Sequence, residues 1–392
     1  MRSEAELLRW CAGLRRDAGE IRALLEGPLD WGWALGMAEA HGLLPLVYWR
    51  VKEAGAEAAP GAALERLAAR FRANAARSLF LSAELLKILE RLEAGGVAVI
   101  PFKGPVLAWW VYPHPALREF GDLDILVRAR DVGKARELLG SEGYRPRFAV
   151  PGAIEQRFAE GNRQMVLTRQ GGEVNVDLHW GMWARSSGLP EDFEGWWKRR
   201  APVPVAGRQV RTFGSEDSLV LLCLHGVKHC WSSLGGLADI GALIASCAMD
   251  WDQVMAQAAR LRLTRMLHVG ITLACQVLGC GVPGEVLKRA QADGRAQALA
   301  AQAGDALFAD PPGIAAGRES TLFLLRSMER LRDRVRFYLG MLFEPTQADW
   351  EALRLPAWLF PAYYLARPVR LVLKHGWAFT ARTVVGRRGG RW

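Results

Sequence analysis

No acidic residue follows Glu351, no Cys-x-x-Cys pair occurs, and no apolar run reaches the length of a membrane-spanning helix. Each absence excludes something. The six cysteines, Cys11, Cys223, Cys230, Cys247, Cys275 and Cys280, are scattered along the chain, which argues against a disulfide frame or a zinc knuckle and suits reduced thiols packed in cores. The C-terminal stretch Leu355 to Ala366 is apolar for only about a dozen residues, against the roughly twenty that a span requires, and it contains Pro356 and Pro361. Glu4, Glu6 and Arg9 interrupt any early apolar run, so no secretory leader is expected and a cytoplasmic location is.

What is present describes a globular enzyme-sized chain. The 392 residues suffice for two or three substantial cores, and 51% hydrophobic with 23% charged residues excludes disorder as the main state. The net charge of +10 raises nucleic acid as a partner. Arginine far outnumbers lysine, however, and alanine and glycine are abundant, a bias that genome composition produces without any polyanion; nucleic acid is therefore not favoured. The excess is concentrated at the end, where Arg354, Arg367, Arg370, Lys374, Arg382, Arg387, Arg388 and Arg391 accumulate. A basic aromatic arm over 346–392 is expected, packed on the preceding helices or touching an anionic surface.

The hydrophobic period changes along the chain. Residues 1–93 read as helical, with Leu81, Leu85, Ile88, Leu89 and Leu92 at helical spacing before Gly95 and Gly96. Over 94–214 the pattern turns to short strands: Val97 to Phe102, Gly121 to Val127, Tyr144 to Val150, Gln164 to Arg169 and Glu173 to Trp180. Pro105 opens a short helix after the first strand, and Asp131 is a plausible cap for a helix through Glu142. A hairpin around Gly207 follows, then Ser215 caps the first helix of a helical domain over 215–345. The expected class is α+β, a small mixed sheet flanked by helical regions on both sides.

Chemistry concentrates in the strand region. In Arg118-Glu-Phe-Gly-Asp122-Leu-Asp124-Ile-Leu-Val127, side chains two apart share a face, so Asp122 and Asp124 can converge on one cation while Leu123, Ile125 and Val127 enter a core. A hard cation such as Mg²⁺ takes one or two protein carboxylates and completes its shell with water and phosphate oxygens. Asp177, in Val174-Asn-Val-Asp177-Leu-His179, supplies a third carboxylate on another alternating strand, with His179 on the same face. Upstream, Lys103-Gly104 precedes a helix start, where backbone N–H groups favour anions.

The order Lys-Gly, short helix, Arg, Asp-x-Asp on a strand and a later lone Asp resembles the polymerase-beta-like nucleotidyltransferases. More narrowly, it resembles their poorly characterised branch in which Lys-Gly stands where most relatives carry Gly-Ser. The resemblance is strongest from Asn74 to Trp180 and resumes at His225 to Trp231 with Asp239. It implies transfer of a nucleoside monophosphate from an NTP such as ATP to an acceptor. Asp122, Asp124 and Asp177 would hold two metal ions, Mg²⁺ or alternatively Mn²⁺. Where relatives use serine for a terminal phosphate, Lys103 would have to serve, with Gly104 and Arg118 beside it.

His225, Lys228 and His229 fall three and four apart, on one helical face. Zinc is not favoured, because no regular ligand quartet forms with Cys223 or Cys230. Lys228, and after it His229, are expected to reach across a cleft toward phosphates or the acceptor. His225 is expected to be structural, bonded to Asp239. The acceptor would be a small molecule, sugar or peptide carrying a hydroxyl or phosphate. The alternative is a non-catalytic nucleotide-binding or assembly protein on the same fold.

Overall fold

Alternation of apolar and polar side chains builds a five-stranded sheet from β1 (Val99–Phe102), β2 (Asp122–Val127), β3 (Tyr144–Pro146), β4 (Gln164–Arg169) and β5 (Asn175–His179). The computed structural model describes residues 2–13, 18–55, 59–147, 160–169, 171–309, 312–314 and 317–373, with Ile154 and Arg157. The order is β1-β2-β5-β4-β3, and β2 runs parallel to β5 while the other neighbours are antiparallel. The sheet is therefore mixed, and the fold is α+β with helical flanks.

The two faces of the sheet meet different cores. Leu123, Ile125, Val127, Val176 and Leu178 pack with Leu81, Leu85, Ile88, Leu89 and Leu92 of the long helix Gly61–Ala94. Ile100, Phe102 and Leu126 point the other way, into a core shared by the early helices and those after the sheet. That second core holds Leu7, Leu8 and Leu43 together with Leu219, Val227, Leu237 and Leu273. Polar ties cross the same junction: the Arg9 guanidinium donates to the Val277 carbonyl at 3.1 Å, and the Ser233 hydroxyl donates to the His41 carbonyl at 2.8 Å. Ends of the chain region that are far apart in sequence thus brace one another beside the sheet.

A hairpin of β6 (Ala201–Val205) and β7 (Arg208–Thr212) turns through Ala206 and Gly207, both at positive φ as a tight two-residue turn requires. Thr212 ties it to the sheet by donating to the Pro101 carbonyl at 2.8 Å. The helix Ser215–Lys228 follows, then helices Leu234–Ser246, Trp251–Leu261 and Thr264–Leu278.

Two expected caps are not made. Asp131 closes a 3₁₀ turn, Ala129–Asp131, and already has helical angles, so its side chain does not reach back to the first N–H groups of Val132–Ser141. Gly214, not Ser215, occupies the cap position of Ser215–Lys228. Of the strand expected at Tyr144 to Val150, the described part ends at Pro146 and the rest lies outside the described residues. All six cysteines are free. Among the described residues no helix is long and apolar enough to cross a membrane. Lys374, Arg382, Arg387, Arg388 and Arg391 of the basic arm lie outside them.

Candidate active site

Strand register puts the carboxylates together. Parallel pairing sets Asp124 opposite Asp177 and Leu126 opposite His179, so carboxylates from sequence segments about fifty residues apart lie on adjacent strands at about 4.8 Å spacing. Donor atoms of Asp124, Asp177 and His179 all lie within 4.8 Å of one another. His179 Nε2 lies 3.1 Å from Asp124 Oδ1, while its buried Nδ1 has no partner among the described residues. The histidine therefore contacts Asp124, not the Asp177 of its own strand. Asp122 stands two residues earlier on β2, at its exposed start.

The charges of these carboxylates differ. Asp124 is buried, which opposes ionisation, yet the Lys103 ammonium and the His179 hydrogen bond hold its carboxyl well below the usual range. Asp177 goes the other way. Partial burial and the neighbouring Asp124 charge raise it to about 6. Asp122 is raised as well, by desolvation and then by Asp124. One carboxylate stays ionised across the ordinary pH range while its neighbours hold protons more readily.

Lys103 is held at a strained turn. Its φ of 51° and ψ of −142° are unusual for a residue with a side chain, the kind of strain that persists where surrounding structure over-determines it. Gly104 follows at φ +37°, and a Cβ there would sit 3.1 Å from the Asp122 carbonyl oxygen, which explains the glycine. The turn leads into the helix Gly104–Val111, with Pro105 in its first turn. Lys103 Nζ comes 3.7 Å from Asp124 Oδ1 and donates to His225 Nδ1 at 3.1 Å.

The helix Ser215–Lys228 thus reaches the sheet through His225, which is not bonded to Asp239 as expected. Burial, then the Lys103 charge, push His225 well below its usual pKa; as a neutral ring it can accept from the ammonium. The His229 ring lies 4.5 Å from the His225 ring. Lys228 and His229 are exposed at the end of this helix, and desolvation, then the Lys103 charge, lower the Lys228 pKa. The i, i+4 spacing carried the signal for His225 and His229; the partnership with Lys103, 122 residues away, had none.

Arg118 is bonded to Asp239. Its Nε and Nη2 donate to the two oxygens of Asp239, each at 2.8 Å, and Nη1 donates to the Gly104 carbonyl at 3.3 Å. Tyr112 donates to the same Asp239 at 2.7 Å. The arginine therefore ties the Lys103-Gly104 turn and the 3₁₀ turn Pro115–Leu117 to the helix Leu234–Ser246. Asn74 braces the same loop, donating to the carbonyls of Ala116 and Arg118 at 2.7 and 3.0 Å. Neither Tyr112 nor Asn74 carries a sequence signal for this role, since each is an isolated polar residue on a helix or loop.

The arrangement offers two oxygen-donor side chains and an imidazole, with an ammonium already neutralising one of them. Such a set fits a divalent cation beside an anionic substrate. Residues 27–279 match the model of a family described as uncharacterised nucleotidyltransferase. The comparison with curated proteins found no match. Among solved structures, the antibiotic-resistance factor ANT(2'')-Ia, described as showing substrate-regulated conformation dynamics, is similar over 47% of this chain and 92% of that chain, at 13% identity and a TM-score of 0.33.

Proposed function

This chain belongs to the uncharacterised nucleotidyltransferase family, and we propose that it moves a nucleoside monophosphate from an NTP to a hydroxyl or phosphate of a small molecule, sugar or peptide. The observation that carries the reading is the Asp124–Asp177 register across β2 and β5, with Lys103 on the same carboxylate. Asp122, Asp124 and Asp177 would hold Mg²⁺ or Mn²⁺. Donor atoms of Asp124 and Asp177 lie within 4.8 Å of one another, which supports that fit for two of the three, while Asp122 stands outside that group at the exposed start of β2. When bound, the cation neutralises charge on the phosphate oxygens during in-line displacement at the α-phosphorus.

The chain's own groups have separate tasks in this reading. The His179 hydrogen bond orients Asp124 and keeps its lone pairs directed into the site. Lys103 and Lys228 place positive charge where a triphosphate would lie, and His229 borders it. Gly104 lets the backbone approach that anion closely. Asp177, paired with Asp124 across the two strands, would hold the cation on the acceptor side, where that charge would lower the proton affinity of the acceptor hydroxyl.

A non-catalytic nucleotide binder is favoured by one observation, the Lys103–Asp124 ion pair, since an ammonium can stand permanently in place of a cation. The two readings part on turnover. Incubation with a panel of α-³²P-labelled NTPs, cell extract as acceptor source and Mg²⁺ should give label transfer and pyrophosphate. Nucleotide binding without pyrophosphate release, with every NTP and with either metal, would leave the non-catalytic reading.

A further inference from the structure

The C-terminal helix over 363–373 is turned inside out for a helix in water. Its two arginines face the protein: Arg367 and Arg370 reach Asp349, a carboxylate only 2% exposed, at 2.7 and 2.6 Å. Arg367 also donates to the Met341 carbonyl at 3.0 Å, and Tyr363 buries its ring while its hydroxyl donates to the Leu353 carbonyl at 2.6 Å. The apolar side chains take the outer face. Leu365 is 74% exposed, Val369 59%, Val372 66% and Leu373 79%. Their spacing of four, three and one places them along one stripe. Trp358, in the preceding 3₁₀ turn Ala357–Ala362, is exposed as well, while its neighbour Phe360 is buried.

Such a stripe is unfavourable in water, and the ion pairs that spend both arginines inward fix its orientation. Contiguous exposed apolar surface of this kind marks a surface that something covers. The charge around it selects the cover. After Glu351 the sequence has eight basic residues and no acidic one, and five of the eight, Lys374 onward, follow the helix directly. A second copy would bring the same positive segment against itself. An apolar helical stripe, an exposed indole and an excess of cations following them in the sequence are the three parts of an interfacial membrane anchor.

We propose that the 357–373 segment docks the protein on an anionic lipid bilayer, with Leu365, Val369, Val372 and Leu373 entering the headgroup boundary and the following basic residues meeting the lipid charge. The helix lies in the surface and does not cross it, in keeping with its length and with the absence of a spanning helix among the described residues. The catalytic groups take no part in this contact, so the docking stands or falls independently of nucleotidyl transfer.

The test is co-sedimentation of the full chain with vesicles of phosphatidylcholine alone and of phosphatidylcholine with about 30 mole per cent phosphatidylserine. Binding is expected to the anionic vesicles, to weaken as salt is added, and to fall roughly tenfold or more in Leu365→Gln/Val369→Gln. Both positions are exposed, so the unfolding midpoint of that variant should match wild type. Arg382→Gln/Arg387→Gln/Arg388→Gln should lose the preference for anionic vesicles. No binding to either vesicle, or equal binding by the double variant, would overturn the proposal. So would an equilibrium sedimentation result in which wild type is a dimer and the double variant a monomer, which would assign the stripe to a second copy.

Discussion

Removing Asp239 should destabilise the protein far more than removing a surface carboxylate, because it leaves Arg118 buried and unpaired. The arginine makes two charge-assisted bonds of 2.8 Å to Asp239, with the side chains 13% and 7% exposed. Asp239 keeps the guanidinium charged against its desolvation. Two hydrogen bonds to charged groups, at about 1.5–3 kcal/mol each, give roughly 3–6 kcal/mol. The independent figure for breaking a buried pair by deleting one partner is about 3–5 kcal/mol. The two agree, so Asp239→Asn should cost about 3–5 kcal/mol, and Arg118→Met a similar amount.

The double variant Arg118→Met/Asp239→Asn should cost less than the sum of the two, by at least about 2 kcal/mol, because neither partner is then left charged and alone. Urea unfolding followed by fluorescence of the 16 tryptophans measures all three. Nucleotide KM is the second readout. A tie that supports the Lys103-Gly104 turn should lower kcat/KM in proportion to how far the turn loosens, and the double variant should recover part of it. If Arg118→Met instead left stability within about 1 kcal/mol of wild type while raising KM for NTP, Arg118 would be a phosphate ligand and the reasoning would fail.

The other predictions concern the site. Asp124→Asn should lower turnover by at least about a hundredfold, and a chelator should abolish wild-type turnover until Mg²⁺ or Mn²⁺ is restored; activity that persists in either case removes the cation from the mechanism. Lys103→Ala should reduce kcat/KM for NTP by about 1.5–3 kcal/mol without changing base preference, and altered base preference at full efficiency would show that Lys103 does not contact phosphate. Gly104→Ala should destabilise by about 1–3 kcal/mol, since alanine resists φ of +37° and its Cβ would press on the Asp122 carbonyl; a neutral result in thermal melts would mean the turn relaxes freely. Asp177 is raised in the fold from 3.8 to about 6, so between those values the metal-free folded state binds more protons than the unfolded one and stability grows as pH falls through that window. Melts between about pH 7 and about pH 4 should show that gain in wild type and a smaller one in Asp177→Asn; identical profiles would refute the shift.

Much of the architecture follows from local pattern. The alternation of Leu123, Ile125 and Val127 with Asp122 and Asp124 is enough to place the apolar residues in a core and both carboxylates on the opposite face, because a strand's side chains alternate whatever its neighbours are. The helical spacing of Leu81 to Leu92, the glycine at 104 and the hairpin around Gly207 are legible for the same reason: each depends on angles and periods within a few residues. The missed caps at Asp131 and Ser215 show the limit of that reasoning at element ends, where a one-turn change in the preceding backbone moves the cap.

What sequence pattern could not supply is which elements become neighbours. Asp124 meets Asp177 only because β2 pairs in parallel with β5 and in that register; a slip by one residue would turn Asp177 to the other face. Lys103 finds His225 across 122 residues, and Arg118 finds Asp239 across 121, when the shared core seats the Ser215–Lys228 and Leu234–Ser246 helices against the Lys103 turn. Sequence showed a histidine face with an aspartate beyond it, and on that basis joined His225 to Asp239, whereas His225 meets Lys103 and Asp239 meets Arg118. Tertiary packing chose among the partners, because a buried guanidinium goes where two carboxylate oxygens can meet it in the plane of its fork, and that geometry exists only after the helices have closed on the sheet.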